Sequence, residues 1–181
     1  MLDNKDKVRM SAKAIALVGI MAATIECGKM VLSFLPNIEV VTLLCALFGY
    51  VFGWLGVAAA AVFVFIEPLI WGFGGWVITY LIYWPLVALL FMYIGRRRIT
   101  NRLLLTAAAL GMTLAFGVLS SLVDSVFYFG INGNFLANFA LYYVRGTMFY
   151  AVQLACNAVL FSTVFSFLST KLFSIKSSMQ L

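Results

Sequence analysis

Between Glu39 and Arg96 the chain carries a single charged side chain, Glu67, and the stretches from Leu103 to Val123 and from Gly146 to Thr170 carry none. Crossing a bilayer core takes about 20 apolar residues in helical form. Lipid offers no partner to backbone amides, so runs of this kind must satisfy their own hydrogen bonds as helices. Composition agrees: 65% of residues are hydrophobic and 10% charged, with a mean hydropathy of +1.08, whereas a soluble domain carries about 25% charged residues. The fold class expected is an all-α integral membrane protein.

Helix breakers divide the chain. Residues 1–12 are polar and mixed in charge (Asp3, Lys5, Asp6, Lys7, Arg9) and are expected as a short N-terminal tail. A first helix is expected over 13–34, ended by Pro36 and Asn37, because proline disfavours helix in the residue before it. A second follows over 39–52 and, after Gly53, a third over 55–66, ended by Glu67-Pro68. The aromatic, glycine-rich run Trp71-Gly72-Phe73-Gly74-Gly75-Trp76 reads as a loop before a fourth helix over 77–94, with a kink at Pro85. A fifth is expected over 103–127. A sixth takes 137–168, and a C-terminal tail covers 171–181. The six helices form one membrane domain, 13–170, without an evident internal repeat. The second and third are short for a full span, which suits helices tilted or sunk around a cavity. The segment after Lys13 is long and lacks a small-residue cleavage site, so it is expected to be retained rather than cleaved as a signal.

Loop charge sets orientation. Lys5, Lys7, Arg9 and Lys13 precede helix 1; Arg96, Arg97, Arg98 and Arg102 separate helices 4 and 5; Lys171 and Lys176 follow helix 6. The three alternate connections hold no lysine or arginine. By the positive-inside rule both termini are expected in the cytoplasm.

Six charges remain: Glu26, Lys29, Glu39, Glu67, Asp124 and Arg145, all expected in the outer halves or outer ends of helices. Ionisable groups at membrane depth are rare and face a bundle interior or a wet cavity. Singly, each reads equally well as an interfacial cap. Together they suggest the mouth of a pocket. Asp124 and Arg145 either pair or each meet a ligand group of opposite sign. Glu26 and Lys29, three apart on a helix, either pair locally or face the solute. Asn37, Trp71, Trp76, Tyr80, Trp84, Asn132, Asn134, Asn138, Tyr142 and Tyr143 add polar anchors and aromatic walls of the sort a small organic ligand needs. For the aromatic residues the competing reading is an interfacial belt. Gln153 and Asn157 lie deep in helix 6, where amides either knit helices together or face a ligand. The expected substrate-binding set is Asn37, Glu39, Glu67, Trp71, Trp76, Tyr80, Asp124, Asn134, Asn138, Tyr142, Arg145, Gln153 and Asn157. Four carboxylates against two cations favour a neutral or cationic solute, and aromatic walls suit a flat heterocycle.

Helix 1 also carries small residues at Ala12, Ala16, Gly19 and Ala23, a spacing that lets another helix approach closely, and Gly49 and Gly53 repeat it in helix 2. Cys27, Cys45 and Cys156 lie in apolar segments and are read as packing residues; an odd count argues against a disulfide framework. No P-loop motif occurs and there is no histidine, so neither ATP binding by that motif nor histidine-based catalysis or metal ligation is open to the chain. Binding or transport is expected rather than enzymatic chemistry, with no metal and no directly bound cofactor.

Size, topology and several motifs together resemble the substrate-binding S component of energy-coupling-factor (ECF) vitamin transporters. The residues that carry the likeness are Ala12-x-x-x-Ala16, Leu35-Pro36-Asn37-Ile38-Glu39, the Gly72-Phe73-Gly74-Gly75-Trp76 run, and Phe149, Gln153 and Asn157 in helix 6. Relatives often show Asp and His where this chain has Tyr150 and Gln153, so no particular relative's substrate carries over. The resemblance implies capture of a vitamin or vitamin precursor at the outer face of a bacterial plasma membrane. It also implies docking through Ala12, Ala16, Gly19 and Ala23 onto a transmembrane coupling subunit driven by two ATPase subunits, which hydrolyse the ATP. The alternative class is a self-contained ion-coupled carrier or channel using Asp124 and Arg145; a non-transporting assembly factor is a third.

Overall fold

The computed structural model describes residues 11–35 and 38–179, and these form helices joined by short connections, with no strand among them. The helices are α1 (Ala12–Leu32), α2 (Val41–Phe52), α3 (Trp54–Trp71), α4 (Gly75–Arg96), α5 (Arg102–Phe129), α6 (Phe135–Thr163) and α7 (Phe165–Ser178). Five of them, α1, α3, α4, α5 and α6, are long and apolar enough to cross a membrane. The protein is thus a helical membrane protein. Residues 1–10 of the expected N-terminal tail, with Pro36 and Asn37, lie outside the described residues, while Ser11 and Ala12 of that tail cap and begin α1.

The short α2 is the hub. Eleven of its twelve residues are buried, Leu44 being the exception, as expected of a helix apolar on every face. At 1.5 Å per residue it spans about 18 Å, well short of a bilayer core of about 30 Å. It can do so because α1, α3, α4, α6 and α7 all pack against it. Glycines permit the tightest of these approaches. A Cβ at Gly49 would collide with the Ala88 carbonyl of α4, and one at Gly95 with the Tyr50 carbonyl of α2. Gly53, the other member of the small-residue pair, instead makes the α2–α3 link at φ 65°, a left-handed conformation natural to glycine.

Three sequence expectations change here. Helix α3 does not stop at Ile66; it runs through Pro68 to Trp71 and ends at Gly72, whose N–H donates to the Pro68 carbonyl and whose φ is 82°. Proline removes only its own N–H from the ladder, and packing of the buried Glu67-Pro68 segment retains the last turn. Helix α4 also holds a proline, Pro85, within one helix, as the sequence leads one to expect. The sixth helix is divided at Val164, and the stretch expected as a tail from Lys171 is helical to Ser178. Helix α7 packs beneath α2: Phe165 and Phe173 meet the Tyr50 ring edge-on at 5.4 and 5.7 Å, and Lys176 Nζ donates to the Val51 carbonyl at 2.7 Å.

Candidate functional site

Lys29, near the C-terminal end of α1, points into the bundle. Its ammonium forms an ion pair with Glu67 of α3, the one ion pair among the described residues. The same ammonium stands 5.2 Å from the centre of the Trp71 ring and 5.4 Å from that of Tyr80, within the range of a cation–π contact. The continuation of α3 past Pro68 is what permits this. Glu67 and Trp71 are four residues apart, so an unbroken helix sets both on one face toward Lys29. Glu67 is fully buried.

Glu26, one turn before Lys29, is 7% exposed. The local Glu26–Lys29 pair that the sequence allows does not form. Instead the Glu26 carboxyl adjoins that of Glu67, and neither Glu26 oxygen nor Glu67 Oε1 has a hydrogen-bond partner. A helix fixes which residues share its own face, but the strongest partner for Lys29 comes from α3, which packs along α1.

A cavity of about 310 Å³ opens above this cluster, lined by Lys29, Leu32, Ser33, Leu35, Ile38, Glu39, Trp71, Tyr80 and Gln153. That volume suits a small organic molecule. Tyr80 begins an aromatic column descending α4: its ring meets Trp76 at 5.1 Å and Trp84 at 5.5 Å, and Trp84 meets Tyr83 at 4.7 Å. A larger groove of about 650 Å³ runs between α1 and α2, but its walls (Ile20, Ala23, Thr24, Cys27, Gly28, Val31, Leu32, Val40, Leu44) carry no charge. In a bilayer such a groove suits acyl chains. The smaller cavity holds the chemistry.

Glu39 forms the second polar centre. It caps α2, with Oε2 accepting from the Thr42 amide at 2.9 Å and Oε1 from the Thr42 hydroxyl at 2.6 Å, a favourable place for a carboxylate at a helix N-terminus. Asn157 Nδ2 donates to Glu39 Oε1 and to Thr113 Oγ1, both at 3.1 Å, and Thr113 donates in turn to the Ala109 carbonyl at 3.0 Å. Asn157 therefore knits α6 to α5 and to the start of α2. It is fully buried and its Oδ1 has no partner. Gln153, one turn earlier, faces the cavity.

Of the residues expected to bind solute, Glu39, Trp71, Tyr80 and Gln153 line this cavity; Glu67 lies behind Lys29, Asn157 behind Glu39, and Trp76 one ring beyond Tyr80. The other described members of the set stand apart. Asp124 lies beside the first turn of α4, where a Cβ on Gly75 would come within 3.4 Å of Oδ1. Arg145 is exposed over the Tyr142 ring at 5.9 Å, and Tyr142 stacks on Tyr128 at 6.2 Å. Asp124 and Arg145 do not pair. Asn134 is exposed at the start of α6 and Asn138 is half-buried one turn on. The four small residues of α1, Ala12, Ala16, Gly19 and Ala23, are all exposed, and nothing lies within 4 Å of a Cβ built on Gly19.

Sequence reasoning did not single out Thr42 or Thr113, since isolated threonines in apolar helices carry no pattern. Lys29 stood outside the expected binding set because a local pair with Glu26 could account for it; its partner is Glu67 of another helix, and it forms part of the cavity wall. The chain matches no protein-family model, no curated protein and no solved structure.

Proposed function

We propose that the chain is the membrane-embedded solute-binding subunit of an ECF-type ABC importer. In this role it captures a vitamin or vitamin precursor outside a bacterial plasma membrane and passes it to a coupling subunit powered by two ATPases. The observation that carries the reading is the aromatic and charged cavity on Lys29, Glu39, Trp71, Tyr80 and Gln153, held in a helical bundle whose sequence has no P-loop to drive transport. A pocket without an engine of its own calls for a partner. The exposed small-residue face of α1 supports that partner's docking, because Ala12, Ala16, Gly19 and Ala23 let a foreign helix approach closely. The basic loops support cytoplasmic termini, and the cavity then opens at the outer end.

The test is solute binding by the purified chain without ATPases, with mass spectrometry of whatever co-purifies. A tight, stoichiometric small molecule is expected. Absence of any such molecule, together with uptake by the chain alone in liposomes under an ion gradient, would favour the self-contained carrier instead. Ala12→Leu with Ala16→Leu is expected to leave solute binding intact and abolish uptake by the assembled importer.

A further inference from the structure

We infer that the Glu26–Glu67–Lys29 cluster is a recognition site for a cationic, N–H-bearing group of the solute, which competes with the Lys29 ammonium for the same carboxyls. This rests on the solute-binding role proposed above and names the class of solute. The Lys29 ammonium serves Glu67 alone and leaves the buried Glu26 carboxyl without a cation, so three of the four carboxyl oxygens have no donor. Buried acceptors in that state are costly unless a donor arrives. The cavity supplies the route, since Lys29 is both the partner of Glu67 and part of the cavity wall.

The surroundings fit the same chemistry. An ammonium flanked by the rings of Trp71 and Tyr80 and neutralised by a carboxylate is held as a ligand cation would be held. Lysine is suited to act as an occupant that can be displaced, because its charge is a point on a flexible stem. A planar cation with several N–H groups, such as an amidinium or a protonated aminoheterocycle, would engage Glu67 and Glu26 together, which one ammonium does not. The other charged group at the cavity, Glu39, is already occupied by Thr42 and Asn157. Specificity for the cation therefore falls to the Glu26–Glu67 pair.

The experiment titrates the purified full-length chain with three flat probes of nearly equal size, benzamidinium (cation), benzamide (neutral) and benzoate (anion), by calorimetry. Benzamidinium is expected to bind at least about tenfold more tightly than benzamide, the scale of one charge-assisted hydrogen bond, with no binding of benzoate. Lys29→Met is expected to tighten benzamidinium binding, because the tethered competitor is gone. Glu67→Gln is expected to weaken it by roughly ten- to a hundredfold. Equal binding of benzamidinium and benzamide by the unsubstituted chain overturns the inference, whether or not the variants fold. So does a Lys29→Met protein that remains monodisperse and binds the cation more weakly. A co-purifying solute that is neutral or anionic would overturn this inference and leave the transport role standing; selective benzamidinium binding by a chain that never assembles with a coupling subunit would do the reverse.

Discussion

Replacing Asn157 with alanine removes the two hydrogen bonds by which its Nδ2 ties α6 to α5 and to the N-terminal end of α2. The lost hydrogen bonds run to the Glu39 carboxylate and the Thr113 hydroxyl, each at 3.1 Å. In water-soluble proteins the first type is worth about 1.5–3 kcal/mol and the second about 0.5–1.5 kcal/mol. Within membranes the average falls to about 0.6 kcal/mol per bond, because the unfolded reference finds partners too. Alanine also removes the unpartnered Oδ1, which offsets part of the loss. The expected net destabilisation is about 1 kcal/mol. It is measured by reversible unfolding in mixed micelles with increasing sodium dodecyl sulfate, followed by far-ultraviolet circular dichroism. A double-mutant cycle of Asn157→Ala with Glu39→Ala isolates the pair, since loss of the cap on Thr42 cancels in it. A coupling of about 1 kcal/mol is expected. A coupling below about 0.5 kcal/mol, the ordinary error of additivity, would refute the claim that Glu39 and Asn157 hold the floor of the cavity together.

Gly49→Ala places a methyl group against the Ala88 carbonyl; overpacking of this kind costs about 1–3 kcal/mol, seen as a lower unfolding midpoint with solute affinity retained where the protein stays folded. Pro68→Ala restores a helix N–H without altering the Glu67–Trp71 face, so equal or greater stability and unchanged solute affinity are expected. Loss of affinity there would show that the proline itself shapes the site. Tyr50→Phe deletes the hydrogen bond to the Ile99 carbonyl, 3.1 Å long, and should cost about 1 kcal/mol in the same unfolding assay.

The cavity was partly legible in the sequence. Glu39, Trp71, Tyr80 and Gln153 stood out because polar or amphipathic groups in apolar segments need a reason to be there, and all four line it. Asn134, Asn138, Tyr142 and Arg145 stood out by the same reasoning, yet they sit at the N-terminal part of α6 away from the cavity, exposed, half-buried or against neighbouring rings. Residue type alone does not separate a pocket from a membrane-interface belt. The direction in which each helix faces separates them.

By itself the sequence determined the solvent and the elements. Apolar runs with almost no charge require lipid, lipid requires helices, and glycine, proline and basic clusters divide those helices close to where they divide. Tertiary structure alone decided the partners. Lys29 meets Glu67 rather than Glu26, and Asn157 meets Glu39, 118 residues away. It also carried α3 through Pro68 and turned the expected tail into α7 beneath α2. The physical reason is common to all of these. Periodicity along one helix fixes what shares its face, whereas a buried charge or amide takes whichever partner the packing of other helices brings within about 3 Å.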